Sequence, residues 1–224
     1  MKIKICGLMR ERDVRLLGEL HADIAGFVTE YPIRVPWNLT RAEAARLMAA
    51  APPGLKTCIV TGGEREKTVS LIRELRPDFV QLHFNETLHD TEYIVRALSP
   101  LGIGVIKTLP MTAKERIERL GTADIGECAR LLGGAGVYAI LCDSRTPANA
   151  SSSTEAADFG IYDELRRESP VPVILAGGIT AENIGKTAAS YEPYMVDIMT
   201  GAESAPGIKD EAKLRNILKF RTQV

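Results

Sequence analysis

No hydrophobic run in this chain approaches the roughly 20 residues that a bilayer span needs. The first residues, Met1-Lys-Ile-Lys-Ile5, have the alternation of a strand and not the hydrophobic stretch of a secretory leader. Cysteine is scarce. Cys6, Cys58, Cys128 and Cys142 are widely scattered and form no CxxC pair, so neither a zinc site nor a disulfide framework is indicated, and a reducing cytoplasm is the simplest setting. Charge of one sign is also missing. With 28 basic and 29 acidic residues the net charge is -1, and the overall field gives no sign of nucleic acid or an anionic membrane as partner. Low-complexity stretches and linkers are absent, which favours one domain over 1–224. What is present is ample core material, 45% hydrophobic residues in a chain of 224.

Short apolar runs alternate with longer helix-like segments from end to end. Strands are expected at 2–6, 23–28, 55–60, 79–82, 104–109, 137–142, 173–176 and 195–199. Helices are expected at 11–20, 41–51, 64–76, 87–98, 162–168 and 210–220, and one begins after Thr180. Residues 111–136 are too long for one helix and divide into two, 112–120 and 123–132, the first an extra helical insertion near 111–121. Residues 143–158 read as a polar loop. Eight strand–helix units in this length are the arithmetic of an α/β fold of the (β/α)8 TIM barrel type, with an open doubly wound sheet as its rival.

Chemistry in a barrel sits at the C-terminal ends of its strands. Gly177-Gly178 end an apolar run and precede a helix, and Thr200-Gly201 follow the last strand. Glycine turns there present backbone N–H groups to an anion, which predicts a phosphate site shared by strands seven and eight. Cys6 ends the first strand, and Gly7 beside it would leave the thiol little shielded. A free cysteine is also commonly an inert buried residue. Its ordinary pKa lies close enough to neutrality for modest tuning to make it a base. Asp143 ends strand six, where it either caps the turn or, partly buried, serves as an acid. Arg34 follows strand two as a surface arginine or as a fork for a carboxylate or phosphate. His83 ends strand four as a structural or a binding histidine.

Lys4-Ile-Cys-Gly7, Ala25-Gly-Phe-Val28, Val80-Gln-Leu-His83, Leu141-Cys-Asp-Ser144, Leu175-Ala-Gly-Gly-Ile-Thr-Ala-Glu-Asn183 and Val196 through Asp210 occur in order along the whole chain. Together they resemble the phosphoribosylanthranilate isomerase family of tryptophan biosynthesis. The resemblance implies an Amadori rearrangement of N-(5'-phosphoribosyl)anthranilate, with Cys6 as general base and Asp143 as general acid. It implies phosphate on Gly177, Gly178, Thr200 and Gly201, with His83 beside the substrate and Arg34 nearest to the anthranilate carboxylate. It implies no metal and no organic cofactor, and a monomer or homodimer is expected. Departures fall in the loops that would touch substrate. Ala150-Ser-Ser-Ser-Thr154 stands where the family has a glycine-rich phosphate loop, and Phe84 stands where it has glycine. Pro32-Ile-Arg34 replaces Ser-Pro-Arg, and Met199-Thr200-Gly201 replaces Ser-Ser-Gly. A diverged isomerase of another phosphorylated aminosugar, and a catalytically silent sugar-phosphate-binding barrel, are the alternatives.

Overall fold

The computed structural model describes residues 1–143 and 160–222. Eight parallel strands close on themselves in sequence order: β1 (Lys2–Ile5), β2 (Ile24–Val28), β3 (Lys56–Thr61), β4 (Phe79–Leu82), β5 (Gly104–Thr108), β6 (Ala139–Asp143), β7 (Val173–Ala176) and β8 (Met195–Ile198). The seam is β1 on β8, in the register Lys4↔Asp197 and Ile5↔Ile198. Helices α1 (Glu11–Glu19), α2 (Arg41–Ala49), α3 (Arg65–Leu75), α4 (Leu88–Leu98), α5 (Ala113–Leu120), α6 (Ile125–Gly134), α7 (Gly160–Glu168), α8 (Ile184–Tyr191) and α9 (Glu211–Leu218) connect and follow them. This is a (β/α)8 TIM barrel; the rival open sheet is excluded by closure. Among the described residues no helix is long and apolar enough to cross a membrane.

Period-2 alternation divides the strands between two cores. One set of side chains, including Ile3, Ile5, Val80 and Leu82, packs outward under the helices. The other fills the barrel, where Ile24, Cys58, Ile106, Leu141, Ile174 and Met195 form one cluster. Phe79 and Tyr138, ring centroids 4.8 Å apart, pack on that cluster, and Tyr138 shares a 2.9 Å hydrogen bond with Tyr194.

Local chemistry explains the helix starts. Thr40, Thr87 and Thr112 each close a capping box with the acid three residues on. Three boundaries depart from the sequence expectation. α6 continues through Gly133 and Gly134, and Gly136, at φ +83°, makes the left-handed exit instead. Gly133 is small because Pro170 presses against it. α8 starts at Ile184, because the Asn183 side chain accepts from Thr180 N and donates to the Gly178 carbonyl, holding 178–183 as a turn. After a single helical turn at Thr200–Ala202 comes an antiparallel ribbon absent from the sequence expectation, β9 (Glu203–Ala205) with β10 (Ile208–Lys209). Pro206-Gly207 turns the ribbon, with Gly207 at φ +75°.

Candidate active site

The C-terminal mouth of the barrel collects residues from most strands. Cys6 directly follows β1, His83 follows β4, Thr108 ends β5 and Asp143 ends β6. The Gly177-Gly178 turn follows β7 and the Thr200-Gly201 turn follows β8.

Cys6 is more enclosed than its glycine neighbour suggested. It is 4% exposed and clusters with Val28 and Val60, and Tyr31, Val35, Trp37 and Met199 pack on that cluster. Gly7, at φ +72°, lets the chain turn away beneath Trp37 and Met199, which roof the thiol. Burial pushes the thiol above its ordinary value, and Lys4 and Lys209 pull the other way. Trp37 is fixed by its indole N–H, which donates to Glu203 Oε1 at 2.9 Å. The same oxygen receives Lys209 Nζ at 2.8 Å, and that ammonium also donates to the Met199 carbonyl. The loop after β2 is thereby tied to the ribbon after β8.

His83 joins the interior to Asp143. Its Nδ1 meets Gln81 Nε2 and Thr108 Oγ1, each at 3.0 Å, and its Nε2 lies 3.9 Å from Asp143 Oδ2. An amide donor at Nδ1 leaves the proton of a neutral ring on Nε2, facing the carboxylate. Burial holds the imidazole below its ordinary value, although Asp143 opposes that. Tyr31 O–H donates to the His83 carbonyl at 2.6 Å and connects this group to the Cys6 cluster. Burial first, then the Glu86 charge, pushes that phenol up to about 12, with Asp143 adding to the rise. Phe84 packs edge-on against Tyr31, ring centroids 5.9 Å apart.

The two glycine turns are in contact. A side chain at Gly201 would collide with the Ile179 carbonyl, so glycine is required for the turns to touch. Gly177 and Gly178 both have positive φ, 93° and 64°. Arg34 is exposed in the loop after β2, and among the described residues no ion pair holds it. Ser144 and the serine-rich stretch 150–154 lie outside the described residues.

Sequence reasoning singled out the strand-end residues, Thr108 among them, but missed Lys4, Tyr31, Trp37, Gln81 and Asp197. Lys4 and Asp197 occupy inward positions of their strands, in step with Cys6 and Met195, and that alternation was the available signal. Tyr31 and Trp37 lie in a loop without periodicity and gave none.

The chain from residue 3 to residue 220 matches the family described as N-(5'phosphoribosyl)anthranilate (PRA) isomerase. It is 31% identical over 215 residues to an N-(5'-phosphoribosyl)anthranilate isomerase of Haloferax volcanii, covering 96% of this chain and 90% of that one. It is 32% identical over 222 residues to isomerase 1 of Methanosarcina mazei, covering 97% and 93%. Among solved structures, a phosphoribosyl anthranilate isomerase from Thermus thermophilus superposes with a TM-score of 0.75 at 28% identity, covering 98% of this chain and 97% of that chain. The enzyme from Thermotoga maritima gives 0.78 at 26% identity with the same coverage.

Proposed function

The chain belongs to the N-(5'-phosphoribosyl)anthranilate isomerase family, and from that premise we propose that Cys6 and Asp143 carry the Amadori rearrangement of N-(5'-phosphoribosyl)anthranilate to its 1-deoxyribulose 5-phosphate isomer. Asp143, as its carboxylic acid, gives its proton to the furanose ring oxygen. The ring C–O bond breaks, and the amine nitrogen donates its electron pair to form an iminium at C1. That cation acidifies the C2 proton, and the Cys6 thiolate removes it. The electrons of the C2–H bond form the enolamine and neutralise the iminium. Return of a proton to C1, with loss of the enol proton, yields the aminoketose. The substrate's own nitrogen is the electron sink, so the scheme calls on no metal or organic cofactor.

The observation that carries this reading is placement. The base and the acid follow interior-facing strand positions at the same mouth, connected through Tyr31 and His83, beside two touching glycine turns. His83, with its proton on Nε2, orients the Asp143 carboxyl group. The turns at Gly177-Gly178 and Thr200-Gly201 supply backbone donors for the phosphate. Arg34, exposed on the loop above, is the residue assigned to the anthranilate carboxylate. The partner is a small phosphorylated molecule, and the working unit is a monomer or a homodimer.

The test is loss of anthranilate-type substrate fluorescence on addition of purified protein. Cys6→Ala and Asp143→Asn are each expected to lower kcat by at least about a hundredfold, the scale of general acid–base catalysis. Wild-type levels of turnover in either variant would remove that residue from the scheme. No turnover by the native protein, with phosphate-ligand binding detected by calorimetry, would favour the silent barrel. Turnover only of a different phosphorylated aminosugar would favour the diverged isomerase.

A further inference from the structure

A fully buried lysine lies inside the barrel, two residues before the thiol on β1. Lys4 is two residues before Cys6 on β1, so both side chains enter the interior, roughly 7 Å apart along the strand. Its ammonium is 0% exposed and donates to Asp197 Oδ2 across the seam at 2.7 Å. An ammonium has three N–H donors, and this ion pair uses one. The sulfur is the next inward group on the same strand, and the Lys4 charge pulls the thiol towards its ionised form against the effect of burial.

The other groups facing Cys6 decide how far that charge is felt. From β3 comes Cys58, from β8 Asp197, from β10 Lys209, and from the roofing loop Tyr31. The cation of Lys209 is spoken for by Glu203 and the Met199 carbonyl, and burial lowers that lysine below its ordinary value. Lys4 behaves oppositely. Although burial opposes its charge, Asp197 first, then Cys6 and Cys58, raise it above the ordinary lysine range, so it is a permanent cation. Asp197 opposes Lys4 at the sulfur, but more weakly than Lys4 acts. Among the described residues, one Asp197 oxygen, Oδ1, has no hydrogen-bond partner, so the carboxylate is committed to the lysine.

We propose that Lys4 is a positioning residue for the rearrangement: it holds the Cys6 sulfur as a thiolate when the C2 proton is taken, and Asp197 sets how much of its charge the sulfur receives. This rests on Cys6 being the base. It solves the problem that enclosure creates, since a dry thiol is a poor base unless a cation is buried with it.

The experiment reads Cys6 itself, without turnover. The rate of iodoacetamide alkylation at Cys6, followed by peptide mass spectrometry, is measured against pH. The pH profile of kcat/KM is measured beside it. In Lys4→Met the alkylation midpoint is expected to rise by about one to three pH units. Lys4→Arg, which keeps the cation, is expected to stay near wild type, and Asp197→Asn to move the midpoint down. If Lys4→Met does not fold, the double variant Lys4→Met/Asp197→Leu removes the pair without leaving a lone buried charge. Its midpoint is still expected to rise, because the lysine outweighs the carboxylate at the sulfur. A folded Lys4→Met or double variant with the wild-type midpoint overturns the proposal, as does an upward shift in Asp197→Asn. Turnover surviving in Cys6→Ala would instead overturn the assignment of the base, whatever the alkylation midpoints show.

Discussion

A methyl group added at Gly26 would stand 2.9 Å from the Cys6 sulfur and 3.1 Å from its Cα. The glycine across the β1–β2 pair is therefore what gives the thiol its seat. Gly26→Ala is expected to displace the sulfur by a fraction of an ångström and to lower kcat about ten- to a hundredfold, since misplacement by about 1 Å costs of that order. Steady-state assays beside circular dichroism would separate this from unfolding. Gly201→Ala faces a harder obstacle, a backbone carbonyl, and forces the two glycine turns apart. A weakened inhibition by inorganic phosphate would register that separation. Cys6 and Asp143 were legible in the sequence because a polar residue closing an apolar strand stands out. Lys4 and Asp197 were not, because charge in a strand reads first as surface, and only the closed register turns both positions inward. The roof over Cys6 was unreadable for another reason: Trp37 reaches its place through a bond to Glu203, 166 positions away.

Among the elements, the loop that carries His83 owes its shape to a second buried ion pair. Lys107 on β5 donates to Glu86 Oε2 at 2.7 Å, with both side chains almost fully enclosed. Glu86 also receives Gly63 N from the loop after β3 and Phe84 N from its own loop. Helix α5 adds a further hold, since Arg119 donates to the Phe84 carbonyl at 2.8 Å. Glu86→Gln leaves a lysine buried without its counter-charge and is expected to cost about 3–5 kcal/mol in denaturant unfolding. Arg119→Met keeps the packing of the stem and removes only the bond, so faster amide exchange confined to the loop after β4 is its expected signature. Element order was readable from alternating periodicity. The late start of α8 was not, because Asn183 spends its side chain on the turn before it. Nor was the ribbon after β8, whose Glu203 and Lys209 pair only once the chain has doubled back at Gly207.

At the scale of the whole molecule, one titration ties the site to stability. His83 is held below the ordinary histidine value of 6.5, because burial disfavours its charged form. As pH falls below about 6.5 the unfolded chain therefore takes up this proton before the folded one does, and stability declines. His83→Asn is expected to flatten the melting temperature between about pH 5 and pH 7 relative to wild type, before carboxylates begin to titrate. The count of eight strand–helix units pointed to the barrel, but closure is a property of register, which no local pattern states. The seam joins residues 193 positions apart through two charges that are costly to bury singly. Loop entropy and dehydration both set that contact late on the route to the native state. Weakening it with Asp197→Asn should leave the refolding limb of a chevron plot almost where it is and steepen the loss through faster unfolding. The clasp that readies a sulfur for proton abstraction would then also be the chain's kinetic lock, the last bolt to slide home and the first to be drawn.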